Sequence, residues 1–332
     1  MKAIVQQRYG SPGVLRLQEV DKPAPAAHEV LVRVHAASVN ARDWHVLRGD
    51  PYLARLAAPQ MMGLRGPTRK IRGTDFAGRV EAVGSGVDRF RPGAEVYGDT
   101  GDVHGAFAEY VCVPAEQIEA KPANLSFAQA ATMPLAGSTA LSGLRDLAQL
   151  RDGQHVLING ASGGVGTFAV QIGKALGATV TAVCSTRNVD LARSLGADHV
   201  VDYTTHDFVR LGRRYDVLLD LVGNRSLGDL RRALAPGGTL VLSGGGTSRG
   251  RPGLVGPMGL LIGAQVMARV ARERILVLPT PLSRELLAAL RELAEAGMVS
   301  PVIDRTYKLD EVPEAIRYME VEHARAKIVV TV

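Results

Sequence analysis

The sequence predicts an α/β protein of two domains, a β-rich module followed by a doubly wound parallel sheet. Three observations carry that prediction. The apolar run Val156-Leu157-Ile158 meets a glycine-rich turn, and then Val165, Phe168, Ala169, Ile172 and Leu176 recur at helical spacing up to Gly177. Strand and helix signals alternate from there to residue 296. Residues 1 to 125 instead hold short strand signals broken by turn residues. A chain of 332 residues also exceeds one ordinary core.

Taken in order, strands are predicted over 1–7, 14–19, 29–38, 78–83, 94–97 and 106–113. Breakers at Gly10-Ser-Pro12, Lys22-Pro23, Gly84-Ser-Gly86 and Arg91-Pro-Gly93 separate them. A helical stretch opens at Ser126 and runs to about Leu150. After the glycine turn come a strand over 178–184, a helix over 189–195 ending at Gly196, and strands over 200–203, 215–222 and 238–243. A sixth strand over 275–279 precedes an amphipathic helix over 282–296, with Glu285, Arg291 and Glu292 facing outward. The tail reads strand, helix, strand over 302–307, 311–319 and 327–332, a pattern able to complete the first module. Residues 253–268 carry no charge but hold Pro257 and several glycines. They are too short for the roughly 20 apolar residues of a membrane span and read as a lid or a subunit contact.

The turn itself fits A-x-G-x-x-G at Ala161, Gly163 and Gly166, with Ser162, Gly164 and Val165 between them. In this pattern the first small residue allows the tight turn. The second lets the backbone approach a pyrophosphate, and the third lets helix and strand pack closely. Phosphates are then expected on the free N–H groups of the helix start. The strand that follows decides between dinucleotides. An NAD site places an acid about 20 residues past the glycines. Here no acid stands before Asp190, and Ser185, Thr186 and Arg187 offer hydroxyls and a guanidinium suited to a 2′-phosphate. The expected cofactor is NADPH.

Composition narrows the class. Hydrophobic residues make up 46% of the chain, and two cysteines, Cys112 and Cys184, are too few for a disulfide framework or a thiolate zinc cage. The N-terminus has no signal-peptide core, so a cytoplasmic protein is expected. A net charge of +6 is scattered and accompanies no nucleic-acid motif, so neither nucleic acid nor membrane is an expected partner.

Several stretches give the chain a family likeness: Val39-Asn40-Ala-Arg-Asp43, Gly73-Thr74-Asp75-Phe-Ala-Gly78, Phe90-Arg-Pro-Gly93-Ala-Glu-Val-Tyr97, Gly105-Ala-Phe-Ala-Glu-Tyr110 and Leu195-Gly-Ala-Asp-His-Val200. With the mid-chain glycine turn, the whole chain resembles the medium-chain dehydrogenase/reductase superfamily, and within it the zinc-independent quinone oxidoreductase group. The resemblance implies a GroES-like substrate domain (1–124 and 299–332), a Rossmann NADP-binding domain (125–298), a nicotinamide cleft between them, and a homodimer formed through the Rossmann sheet edge. It places Asn40, Thr74 and Ala136 near the ligand positions of zinc-dependent relatives, where none can replace a thiolate or imidazole. His45 falls near a further position, and one histidine forms no site. His28, His35, His104, His155, His199, His206 and His323 show no metal-ligand spacing.

The same resemblance places Asn40 beside the nicotinamide, where its amide can hold the cofactor or an acceptor oxygen. Asp43 orients that loop, and Tyr52, in the substrate loop, donates a proton or packs. Thr139 touches the nicotinamide end, and Tyr203 lies beside the 2′-phosphate. Gly223, Ser243 and Gly244 end later strands on the cofactor side. Lys327 stands where relatives carry a Gly-Lys pair near the cofactor, here with Ala326 in place of the glycine. In the loop from Arg48 to Arg72, Leu53, Leu56, Met61, Met62 and Leu64 suit an apolar acceptor as readily as a core. Arg65, Arg69, Lys70 and Arg72 are either solvated or meet an acidic group. The expectation is hydride transfer from NADPH to a quinone or an α,β-unsaturated carbonyl. The alternatives are an enoyl-thioester or biosynthetic alkene reductase, an alcohol dehydrogenase-like enzyme, and a non-catalytic NADPH-binding sensor or scaffold.

Overall fold

The computed structural model describes all residues except 51, 58–61, 244–257, 270, 280–282 and 323. Its first part opens with a hairpin of β1 (Lys2–Gln6) and β2 (Leu15–Glu19). The long strand β3 (Glu29–Val39) follows, then the helices Ala41–Arg48 and Tyr52–Ala57. Next come β4 (Asp75–Val83), β5 (Glu95–Asp99), β6 (Tyr110–Pro114) and β7 (Ile118–Ala120). The helices Phe127–Ala130 and Pro134–Leu141 lead into the second part.

That part holds β8 (His155–Asn159), the helix Gly164–Ala175, β9 (Thr179–Cys184), β10 (His199–Asp202), β11 (Tyr215–Asp220), β12 (Leu234–Leu242) and β13 (Arg274–Val277). These strands form one sheet, parallel throughout, in the order β10-β9-β8-β11-β12-β13. The order reverses at β8, which puts a crevice at the carboxyl ends of β8 and β11, where the glycine turn lies. After the helix Arg284–Glu295, the chain returns through β14 (Ile303–Lys308), the helix Val312–Val321 and β15 (Lys327–Thr331). β15 pairs antiparallel with β3, so the tail completes the first sheet, ordered β14-β15-β3-β4-β5-β7 with β6 also on β3.

One apolar cluster joins the two sheets. Ala36, Ala77 and Tyr97 of the first pack with Phe168, Leu287 and Leu290, on helices that flank the second. Polar bonds flank it: the Tyr97 hydroxyl donates to the Leu287 carbonyl at 2.6 Å, and Asn124 Nδ2 to the Ala294 carbonyl at 2.8 Å.

Several expectations are corrected. The strand predicted over 106–113 is shorter, because residues 107–109 bond β1 before the chain changes partner. Ile4 N–H donates to the Phe107 carbonyl, whereas Val34 N–H takes Glu109. The helix predicted over 126–150 is broken, because Pro134 supplies no N–H and starts a new helix. Arg291 faces solvent only in part. It reaches across to the buried Glu119 at 3.0 Å. β7 is a short strand that the sequence pattern did not reveal. Of the uncharged segment, Met258–Met267 is a helix that buries Ala264 and exposes Ile262 and Val266. Residues 253–257 and Gly244 lie outside the described residues.

The third glycine of the turn is set by contact. A Cβ on Gly166 would lie 2.2 Å from the Gly160 carbonyl oxygen, whereas one on Gly163 would meet only that oxygen, at 3.5 Å. Gly166→Ala is therefore expected to cost about 1–3 kcal/mol by overpacking, with Gly163→Ala thermally unchanged. Equal melting temperatures for the two variants would contradict the close helix–strand contact.

Candidate active site

The site begins where β3 ends. Asn40 precedes the helix Ala41–Arg48, and its N–H donates to Asp43 Oδ2 at 2.8 Å, a local bond that starts the helix. Both side chains are buried. Lys327, the first residue of β15, is also buried. Its ammonium lies 2.5 Å from Asn40 Oδ1, 3.4 Å from the Val39 carbonyl and 3.7 Å from Asp75 Oδ2. Asp75 further accepts from the Ser38 hydroxyl at 3.2 Å and from Leu135 N–H at 3.2 Å, which docks the helix Pro134–Leu141. Asp99 lies opposite Asp75 in the β4–β5 register.

Three carboxyls thus share one buried neighbourhood. Burial raises Asp43 to about 6, against the pull of the Asn40 N–H and of Lys327. Burial and the Asp75 charge raise Asp99 to about 7. Asp75 is also raised by burial, with Lys327 opposing. Burial pushes Lys327 down, and Asp75, Asp43 and Asp99 hold it up. Beyond this cluster, Arg72 is buried rather than solvated, brought down to about 10 by burial with Asp43 opposing. Burial and the Arg72 charge lower His104 to about 3. Arg65, Arg69 and Lys70 are exposed.

The glycine turn faces this cluster from the other domain. Gly163 is the N-cap of the helix Gly164–Ala175, whose first N–H groups have no acceptor within the helix. Ala161 is buried, and Ser162, Gly164 and Val165 are partly exposed. The two domains touch here: Ala326 N–H donates to the Ser162 carbonyl at 2.8 Å. Ala326 has φ 58°, so it keeps the left-handed backbone that a glycine would adopt freely. Thr139, buried in its helix, donates to the Leu135 carbonyl at 2.7 Å.

At the far end of the crevice, Ser185, Thr186 and Arg187 follow β9 and lie at the surface. Tyr203 is alongside, 54% exposed, its N–H on the Cys184 carbonyl. Arg187 donates to the Glu322 carbonyl at 3.0 Å, and Thr186 to Asp202 at 2.6 Å. Gly223 and Ser243 follow β11 and β12. Asp220 Oδ1 fixes the first of these turns, accepting from Asn159 Nδ2 at 2.8 Å and from Val222 and Gly223 N–H at 3.1 Å each.

Tyr52 is 45% exposed with the Arg55 guanidinium 4.6 Å from its ring, and among the described residues it makes no hydrogen bond to Asn40 or Asp43. His45 Nδ1 lies 3.2 Å from the Asp50 carbonyl. Sequence reasoning did not single out Asp75, Asp99 or Asp220 for chemistry. Their common signal is an acid beside an apolar strand run, where it costs most to bury.

The chain matches the alcohol dehydrogenase GroES-like domain family over residues 26–123 and the zinc-binding dehydrogenase family over residues 195–330. It is 34% identical to the mitochondrial NAD(P)H oxidoreductase RTN4IP1 of Mus musculus, covering 100% of this chain and 89% of that protein. It is 32% identical to the chloroplastic NADPH-dependent alkenal/one oxidoreductase of Arabidopsis thaliana, covering 99% and 79%. The quinone oxidoreductase structure from Coxiella burnetii superposes with a TM-score of 0.85 at 32% identity, covering 100% and 99%.

The carboxyl cluster gives a pH signature. Asp99 has an ordinary value of 3.8 and is raised to about 7 when folded. Between those values the folded state binds more protons than the unfolded chain, so stability falls as pH rises through that window. Asp99→Asn is expected to flatten this decline in thermal melts from pH 4.5 to 7.5. An identical decline in both proteins would contradict the assignment.

Proposed function

This chain belongs to the medium-chain dehydrogenase/reductase superfamily, in its quinone oxidoreductase-like group, and on that premise we propose that it uses NADPH to reduce a quinone or an α,β-unsaturated carbonyl without zinc. Members of this kind are NAD(P)H oxidoreductases with small-molecule substrates. The observation that carries the zinc-independent part is the Lys327 ammonium 2.5 Å from Asn40 Oδ1. Asn40 stands at a ligand position of zinc-dependent relatives, and a cation on its amide oxygen repels a second one. Thr74 and Ala136 supply no thiolate or imidazole nearby. The residues present do not fit a catalytic zinc.

They do fit a dinucleotide. Gly163 leaves its outer face open, and the N–H groups of Gly164, Val165 and Gly166 can take phosphate oxygens at a helix end that favours anions. Ser185, Thr186, Arg187 and Tyr203 would hold a 2′-phosphate. Thr139, Gly223 and Ser243 would line the path to the nicotinamide, and the Asn40 amide would meet its carboxamide or the acceptor oxygen. NADPH supplies the hydride. The chain's task is to bind, to orient and to keep water out of the cleft. An activated acceptor suits such a site, because its developing charge spreads onto a distant oxygen. Asp43 would steady the Asn40 loop, and Tyr52, in the substrate loop, is the candidate proton donor.

A cytoplasmic homodimer belongs to the same proposal. β13 is the edge strand of the second sheet, and the neighbouring helix Met258–Met267 exposes Ile262 at 49% and Val266 at 60%. Among the described residues no helix is long and apolar enough to cross a membrane.

The test is NADPH consumption by metal-stripped protein with a panel of quinones, enones and enoyl thioesters. Turnover with quinones or enones at undiminished rate after chelation is expected. Turnover confined to thioesters would favour a biosynthetic alkene reductase. NADPH binding with no turnover would favour a sensor or scaffold.

A further inference from the structure

The buried ammonium of Lys327 touches more of the site than any role at the cofactor requires. An ammonium has three N–H donors. Here three directions are taken, toward Asn40 Oδ1, the Val39 carbonyl and the Asp75 carboxylate. No donor is left over for a phosphate. A buried cation must also be paired, and Asp75 supplies the pairing from β4 of the same sheet, with Asp99 across the β4–β5 ladder and Asp43 on the helix Ala41–Arg48.

The stem of the same side chain lies against the glycine turn. A Cβ on Gly164 would be 3.1 Å from Lys327 Cδ, and the preceding residue, Ala326, bonds the Ser162 carbonyl. One side chain therefore rests on the turn at its base and grips the Asn40 amide at its tip.

We infer that Lys327 is a positioning residue for Asn40, linking the glycine-rich turn to the cleft by fixing the rotation of the Asn40 amide, rather than a residue that binds the cofactor. The inference rests on the reading of the Asn40 end of the cleft as the hydride-transfer end.

A double-mutant cycle on the full chain tests it, with Lys327→Met, Asn40→Ala and their combination. NADPH affinity is read by reduced-nicotinamide fluorescence, and kcat is measured with the best acceptor of the panel. Lys327→Met keeps the stem and removes the ammonium. It is expected to lower kcat about 10- to 100-fold, the scale of one charge-assisted hydrogen bond, while the NADPH Kd changes less than about twofold. The double variant is expected to be no slower than the slower single variant, since both remove one interaction. Lys327→Gln, which can still donate to Asn40 Oδ1, is expected to recover part of kcat. An NADPH Kd raised tenfold in Lys327→Met with kcat held would show a direct cofactor contact and overturn the inference, as would additive losses in the double variant. If Lys327→Met does not melt as a folded protein, the same split of Kd against kcat in Lys327→Gln decides. Failure of the unmodified chain to bind NADPH overturns the dinucleotide reading and this inference together. Binding with an uncoupled cycle overturns this inference alone.

Discussion

The contact on which the rest of the site depends is the close approach of the helix Gly164–Ala175 to the end of β8. It is possible only because position 166 has no side chain to collide with the Gly160 carbonyl. That contact aims the helix start into the crevice where the strand order reverses. It also fixes the surface against which the tail must return. Ala326 docks on Ser162, and the stem of Lys327 crosses Gly164. The tail's last strand is therefore held in two registers at once, by β3 and by the glycine turn. An error in the helix–strand distance would be felt at Asn40.

The second constraint is electrostatic. One ammonium and three carboxyls occupy a space with little water, and not all of the acids can ionise there without penalty. The raised values of Asp43 and Asp99 are the consequence. The arrangement ties the first sheet to the second, because Asp75 also receives the N–H of Leu135 at the start of the connecting helix. In the proposed reaction this neighbourhood forms the floor of the cleft, with the Lys327 ammonium held among the three carboxyls.

Much of the fold was legible in the sequence. The period-2 and apolar runs located β8 to β13, and the glycine spacing located the turn, because local chemistry dictates both. The strand, helix, strand pattern of the tail is one able to complete the first module. The site was only partly legible. Asn40 and Lys327 were each singled out, but they lie 287 residues apart, and nothing local to either announces the bond between them. Arg291 shows the limit of periodicity, which gives the face of a helix and not what that face meets. Residues 107–109 show the same limit for strands, since a β pattern does not say which strand is the partner. In the sequence Arg72 is one of several basic residues in a loop. Its burial beside Asp43 follows from tertiary packing alone.

The central claim is that this turn and the rim after β9 hold NADPH. The most direct measurement is a titration of the metal-stripped protein with NADPH and then NADH, followed by reduced-nicotinamide fluorescence. NADPH binding at least about tenfold tighter than NADH is predicted, with Arg187→Ala erasing most of the difference. Equal binding would show that Ser185, Thr186 and Arg187 do not read the 2′-phosphate. No binding of either would contradict the account at its centre.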